Sequence, residues 1–163
     1  MFVLLVFFAL LIACRQSPTA TSDLQDSQWT MNASELPGKS VVNAKATAIL
    51  KNWNEFAIFE TAFDRLYTIE YREDLILVTE DLVEKQKLLE KSVYPPEFDI
   101  PQIKGRQKVL KTYILKMKGD LEYRVNPDAS LKEIIKAFNA LREQFNIVVN
   151  NTLSEDLILN EKK

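Results

Sequence analysis

Residues 68–74 read Thr68-Ile69-Glu70-Tyr71-Arg72-Glu73-Asp74, and whether the chain bends there decides the fold. Upstream, Val42, Ile49, Trp53, Phe56, Phe63 and Tyr67 recur at helical spacing; downstream, Leu75, Val78, Leu82, Leu89 and Val93 do the same. Neither Gly nor Pro separates the two stripes. A helix continuous through the joint would be about 75 Å long at about 1.5 Å per residue, and in a monomer its aromatic half would lack cover. A bend lets the stripes face each other. It also places Glu73 and Asp74 in a first helical turn, where carboxylates complement the helix dipole.

Two further stripes complete the pattern. Pro101 opens one that contains Ile103, Leu110, Ile114, Met117 and Leu121, with Asp99 as its expected cap. Tyr94-Pro95-Pro96 precedes it and stops the stripe before. After Asn126-Pro127-Asp128 comes Leu131, Ile134, Phe138, Leu141, Phe145 and Val148, opened by the capping-box pair Ser130 and Glu133. Thr152 and Glu155 repeat that pattern before Leu157-Ile158-Leu159. Ser40, just after Pro37-Gly38, is the expected N-cap of the first helix. The expected fold is therefore all-α, an antiparallel up-down four-helix bundle over residues 40–163. The alternative is one long N-terminal helix packed with two shorter helices.

Composition agrees with helices. The chain has 163 residues, 47% of them hydrophobic, and its three glycines are Gly38, Gly105 and Gly119. With 21 basic and 23 acidic side chains the net charge is −2, which gives no electrostatic footprint for nucleic acid. Histidine is absent, which removes imidazole acid–base catalysis and His-containing metal sites. Cys14 is the single cysteine, so no internal disulfide is expected.

The N-terminal stretch assigns an address. Met1–Ala13 is uncharged and too short to cross a bilayer, which takes about 20 residues, but it has the length of a signal-peptide apolar region. Leu11-Ile12-Ala13-Cys14 resembles the lipobox of bacterial lipoproteins. The run lacks the Lys or Arg that usually precedes such a region. The resemblance covers residues 1–14 and implies that 1–13 is a lipoprotein signal peptide. It further implies that Cys14 carries a thioether-linked diacylglycerol and that the new amino terminus is acylated, palmitate being the usual chain. One acyl chain anchors only marginally and two anchor stably. Arg15, where an inner-membrane retention signal would have Asp, implies the outer membrane. Residues 14–39, rich in Ser, Thr, Asp, Asn, Gln and Pro, read as the lipidated cysteine and a flexible tether with a reach of roughly 28 Å. Trp29 and Met31 are its lone apolar residues, placed to rest on the membrane or the domain.

Motifs that would carry chemistry fail on inspection. Gly38-Lys39-Ser40 resembles the end of a phosphate-binding P-loop, but Ala33 stands where the first glycine belongs and no strand precedes it. It reads as a turn and helix cap. Three polar residues interrupt apolar stripes: Glu60 lies between Phe56 and Phe63, Arg142 between Phe138 and Phe145, and Gln86 between Leu82 and Leu89. They form either a polar pocket or a buried pair and edge positions, the latter being commoner. The aromatic set Trp53, Phe56, Phe59, Phe63, Tyr67 and Tyr71 reads as core rather than cavity lining. Lys104, Lys108, Lys111 and Lys118 form a basic ridge, and Glu70, Glu73, Asp74, Glu80, Asp81 and Glu84 an acidic segment. A hairpin about Pro95-Pro96 is expected to set Glu80 and Glu84 against the lysines, in preference to a basic face open to anionic lipid or polysaccharide.

Taken together, these features describe a lipid-anchored envelope protein that acts as a non-enzymatic interaction module. It is expected to be a monomer, held to the membrane by its lipid, with a protein partner in the envelope, no cofactor and no metal. The alternative is a bundle that binds a small ligand.

Overall fold

The computed structural model describes residues 29–151. Cys14, the stretch before it and Leu157-Ile158-Leu159 lie outside the described residues. Within them the fold is all-α: α1 (Ala44–Leu50), α2 (Asn54–Asp64), α3 (Arg72–Lys91), α4 (Pro101–Glu122) and α5 (Asp128–Asn151), with single 3-10 turns at Ala33–Glu35 and Arg65–Tyr67. Consecutive long helices pack on one another in a bundle-like arrangement, α4 most extensively on α5. No helix among the described residues is long and apolar enough to cross a membrane.

The chain bends at the joint. α2 gives way to the 3-10 turn, and Tyr71 is extended at φ −122° and ψ 159°. β-Branched Thr68 and Ile69 lose rotamer freedom in a helix, and Ile69 instead turns into the core. The backbone groups released from helical bonding find partners upstream. Thr30 bridges Tyr71 in antiparallel sense, and the Met31 N–H donates to the Glu70 carbonyl at 3.1 Å. Arg72 then starts α3 and donates to the Leu121 carbonyl at 3.2 Å and the Val125 carbonyl at 3.4 Å, a cation at the negative end of α4. That end closes in a Schellman motif: Val125 N–H donates to Asp120 O at 2.7 Å and Arg124 N–H to Leu121 O at 3.3 Å. Arg124 takes the left-handed conformation usually given to glycine, at φ 55°. The continuous long helix does not occur.

The first stripe is two helices, not one, and Ser40 is not its cap. Asn43 is the N-cap of α1, its side chain accepting from Ala46 N–H at 2.9 Å. α1 ends at Leu50, and a turn through Lys51-Asn52 delivers Trp53, 3% exposed, into the core ahead of α2. Lys51 stays close to helical geometry, so the apolar spacing runs on across the break and conceals it. Asp99 is not the cap of α4; Ile100 holds that position, and Asp99 pairs with Lys104. Ser130 lies inside α5 rather than before it, because Asn126 accepts from Asp128 N–H at 2.8 Å and starts the helix earlier. Val93 falls past the end of α3 and is 91% exposed.

Apolar faces of the helices meet in one core. Its α2–α5 seam is aromatic. Phe63 and Phe138 stack at 4.0 Å, Phe59 approaches Phe138 at 5.8 Å, and Phe56 meets Phe145 edge-on at 5.2 Å. Phe98, on the α3–α4 loop, is fully buried against Phe145 at 4.6 Å. The loop aims it there by bonding Phe98 N–H to the Pro95 carbonyl at 2.8 Å.

Residues 29–43 form a strap along α2 and α5. Trp29 donates its indole N–H to Asp128 at 2.9 Å, Lys132 reaches Glu35 at 3.1 Å, and the Tyr67 hydroxyl donates to the Pro37 carbonyl at 3.2 Å. Asn139 donates to the Gly38 carbonyl at 2.7 Å and accepts from Ser40 N–H at 2.8 Å, and Asn146 holds Val41 and Asn43. Packing thus extends N-terminal of Ser40. Polar composition hides this, since Trp29, Met31 and Leu36 supply the apolar contacts and asparagines on α5 supply the rest.

Gly105 and Gly119 both lie inside α4, and a Cβ on either would meet nothing within 4 Å. Helical glycine costs roughly 0.5–1 kcal/mol relative to alanine. The Gly105→Ala, Gly119→Ala double variant should therefore be more stable by about 1–2 kcal/mol, read as a higher urea midpoint with unchanged slope.

Candidate functional site

The polar residues that interrupt the stripes fall into two separate places. Gln86 on α3 faces Gln107 on α4 across the hairpin. They lie equally far in sequence from the Pro96–Glu97 bond, so an antiparallel hairpin about that turn brings them level. Gln86 is 1% and Gln107 3% exposed. Both line a cavity of about 410 Å³ with Glu90, Ser92, Tyr94, Asp99, Lys104 and Lys108, within the size range of small-molecule sites.

The cavity's hydrogen bonding is unfinished. The Tyr94 hydroxyl donates to Gln107 Oε1. Burial pushes that hydroxyl above its ordinary pKa, so it remains a donor. Ser92 accepts from the Trp53 indole at 2.8 Å and donates to the Leu89 carbonyl at 2.8 Å, which occupies its hydroxyl. Gln107 Nε2 and both amide atoms of Gln86 have no hydrogen-bond partner. A buried unsatisfied polar group costs about 1–3 kcal/mol, so these amides are locally destabilising. At the rim, Lys104 pairs with Asp99 and Lys111 with Glu90. Trp53 packs on Tyr94 at 4.8 Å and the Lys104 ammonium sits 5.2 Å from the Tyr94 ring centre, so the ring is held from two sides.

The second place joins Glu60 and Arg142. Arg142 Nη1 pairs with Glu60 Oε1, and Arg142 Nε donates to the Ser40 carbonyl at 2.8 Å. Lys39 adds a cation 3.1 Å from Glu60 and 2.6 Å from Asp64. The Arg142 guanidinium also lies 5.6 Å from the Phe138 ring centre. A shallow groove of about 430 Å³ runs beside this cluster, but its charges are already matched. It works as a clamp on the strap. Gly38-Lys39-Ser40 belongs to that clamp, and no helix begins at Ser40 to receive a phosphate.

The expected pairing of Glu80 and Glu84 with Lys108 and Lys111 does not form. Lys111 pairs instead with Glu90, six residues beyond Glu84 along α3, while Lys116 and Lys118 pair within α4 with Asp120 and Glu122. Glu80 and Glu84 are exposed. Lys116 and Ser130 both hydrogen-bond Asp120 and lower its pKa, which ties the start of α5 to α4. Of the aromatic set, Trp53, Phe56, Phe59 and Phe63 are core, Tyr67 is partly buried, and Tyr71 is 55% exposed. Among the described residues no group of three or more His, Cys, Asp or Glu is placed to hold a metal ion.

Gln86 was legible as a break in its stripe. Gln107 carries the same signal, standing between Ile103 and Leu110, and was missed; so was Tyr94, which sequence offers only as the residue before two prolines. Comparison of the chain with protein-family models, curated proteins and solved structures gave no match.

Proposed function

We propose that the chain is a lipid-anchored protein of the bacterial envelope, outer membrane by the residue after Cys14, and that it acts as a non-enzymatic interaction module. In this reading α2 to α5 form a closed up-down four-helix bundle, with α1 and the strap laid over it. The observation that carries the proposal is the position of the strap. Trp29 meets the fold at Asp128 and Thr30 meets it at Tyr71, where α5 and α3 begin. The glutamine cavity lies at the other end of α3, whose 20 residues measure about 30 Å. A tether from Cys14 would therefore leave one end of the fold and present the other away from the lipid. Acylation is tested by metabolic labelling with a clickable palmitate analogue: the protein should carry the label, and Cys14→Ser should lose it and leave the membrane fraction. Equal labelling of the variant removes the anchor from the proposal.

The cavity of about 410 Å³ lined by Gln86, Tyr94 and Gln107 favours a second reading alongside the first, a binding protein for a small ligand. Native mass spectrometry of the full chain released from membranes tests it through a retained small mass.

A further inference from the structure

We infer that the end of the fold where the strap enters rests directly on a zwitterionic lipid surface, with Tyr71 and Tyr123 as its aromatic contacts. The inference rests on the lipid-anchor reading and adds a second contact, made by the folded domain itself. Tyr123 follows the last turn of α4 and is 83% exposed, while Tyr71, just before α3, and Val125 are about half exposed. They share one end of the molecule. Arg72, next to Tyr71, bonds the Leu121 and Val125 carbonyls on either side of Tyr123. Thr30 pairs with Tyr71, and Trp29 reaches Asp128, three residues past Val125. A tyrosine ring in water packs on nothing. At a bilayer interface the ring lies against the upper acyl carbons while its hydroxyl stays among the headgroups.

The path to the lipid identifies the occupant. Fourteen residues, 15–28, separate Cys14 from Trp29, and a flexible chain of that length has a reach of about 21 Å. A lipid on Cys14 would therefore hold this end beside its bilayer, where a high effective concentration lets a small patch engage without strong affinity of its own. Val93 is more exposed still, but it follows the other end of α3, about 30 Å away. Exposure alone does not mark the surface; nearness to the lipid does. Charge narrows the choice of lipid. Around the patch the exposed ionic side chains are Glu70, Glu73, Asp74, Glu122 and Asp128 against Arg124, an acidic majority that an anionic leaflet would repel. A zwitterionic headgroup carries its ammonium outermost, where rim carboxylates can accept from it.

Spin labelling of the full chain in vesicles of phosphatidylethanolamine and phosphatidylcholine tests the contact. Under the anchor reading Cys14 is a thioether and takes no thiol label. Cysteines introduced singly as Val125→Cys, in the patch, and Leu88→Cys, near the far end of α3, then carry the label alone. The label at 125 should be more accessible to oxygen, which partitions into lipid, than to a water-soluble nickel chelate, and the label at 88 should show the reverse. Adding Tyr71→Ser and Tyr123→Ser should return the label at 125 to the aqueous pattern while the protein still sediments with the vesicles. These exposed positions should leave the melting temperature nearly unchanged. Replacing the phosphatidylcholine with phosphatidylglycerol should also move the label towards water. An aqueous pattern at 125 with both tyrosines present, or one pattern shared by 125 and 88, overturns the contact and leaves the anchor standing. A lipid pattern that survives loss of both tyrosines overturns their role, and a contact strengthened by phosphatidylglycerol overturns the choice of lipid. If Cys14 of the natural chain takes up the label, the anchor reading fails and the contact falls with it.

Discussion

Phe138→Ala is expected to destabilise the protein by about 3–5 kcal/mol, the usual cost of truncating a buried phenylalanine, and to lower its melting temperature by roughly 10–20 °C. Phe138 has no exposed surface. Its ring meets Phe63 at 4.0 Å, Phe59 at 5.8 Å and Phe56 at 6.3 Å, so one side chain on α5 receives three from α2. Truncation leaves a void that rigid neighbouring rings cannot close, and it removes the ring faced by Arg142 at 5.6 Å and Lys39 at 6.0 Å. Loss should be global because the aromatic seam joins α2 to α5, two helices far apart in the chain. Phe138→Leu, which restores most of the volume, should recover more than half the loss. Leu115→Ala on the outer face of α4, 46% exposed, should change stability by less than about 0.5 kcal/mol. Urea unfolding followed by far-UV circular dichroism and by tryptophan fluorescence reads all of these. Noncoincident transitions in Phe138→Ala, with α3 and α4 retaining the natural midpoint, would show that the seam does not couple the helices.

The long helices were legible because each carries a complete apolar stripe. Leu75, Leu82, Ile103, Leu110, Ile114, Met117, Leu131, Ile134 and Phe138 all reach the core where their spacing places them. The bend was legible only by elimination, since Thr68-Ile69 is a weak breaker and the partner that completes it is remote in sequence. Thr30 and Met31 pair with Tyr71 and Glu70 across a separation that periodicity does not register. The same limit hid the strap. Among its anchors are backbone groups held by Asn139 and Asn146 on α5, and polar residues on a helix flank give no hint that they serve as backbone partners. Caps failed for a related reason: Ser40 and Ser130 have capping chemistry, but Asn43 caps α1 and α5 opens at Asp128, behind a turn in which Asn126 accepts from Asp128 N–H, so neither serine stands at a helix start. Charge matching failed at side-chain level. The hairpin register placed Glu80 near Ile114, yet Lys111 pairs with Glu90, six residues beyond Glu84 along α3. The candidate cavity was half visible, through Gln86.

Glu60→Leu should cost about 2–3 kcal/mol, more than the about 1–2 kcal/mol expected for Arg142→Met, and the inequality follows from which charge is left behind. Removing one member of a buried pair costs about 3–5 kcal/mol and an exposed pair is worth about 0–1 kcal/mol; this pair lies between, its side chains 11% exposed for Arg142 and 30% for Glu60. Without Glu60, the more buried guanidinium is left, among the described residues, with the Ser40 carbonyl and the Phe138 ring. Without Arg142, the carboxylate keeps Lys39 at 3.1 Å and more access to water, while methionine retains the packing of the arginine stem. The double variant should be less damaging than the sum of the singles, since the stranded cation is removed together with its partner. The two singles also separate fold from strap. Arg142→Met breaks the bond to Ser40 and should speed hydrogen exchange at Ser40 N–H, whose Asn139 partner is then the remaining tie, with little change in α3 and α4. If Arg142→Met proves the more destabilising and Ser40 exchange is unaltered, the clamp does not hold the strap, and Arg142 acts through its packing on Phe138 alone.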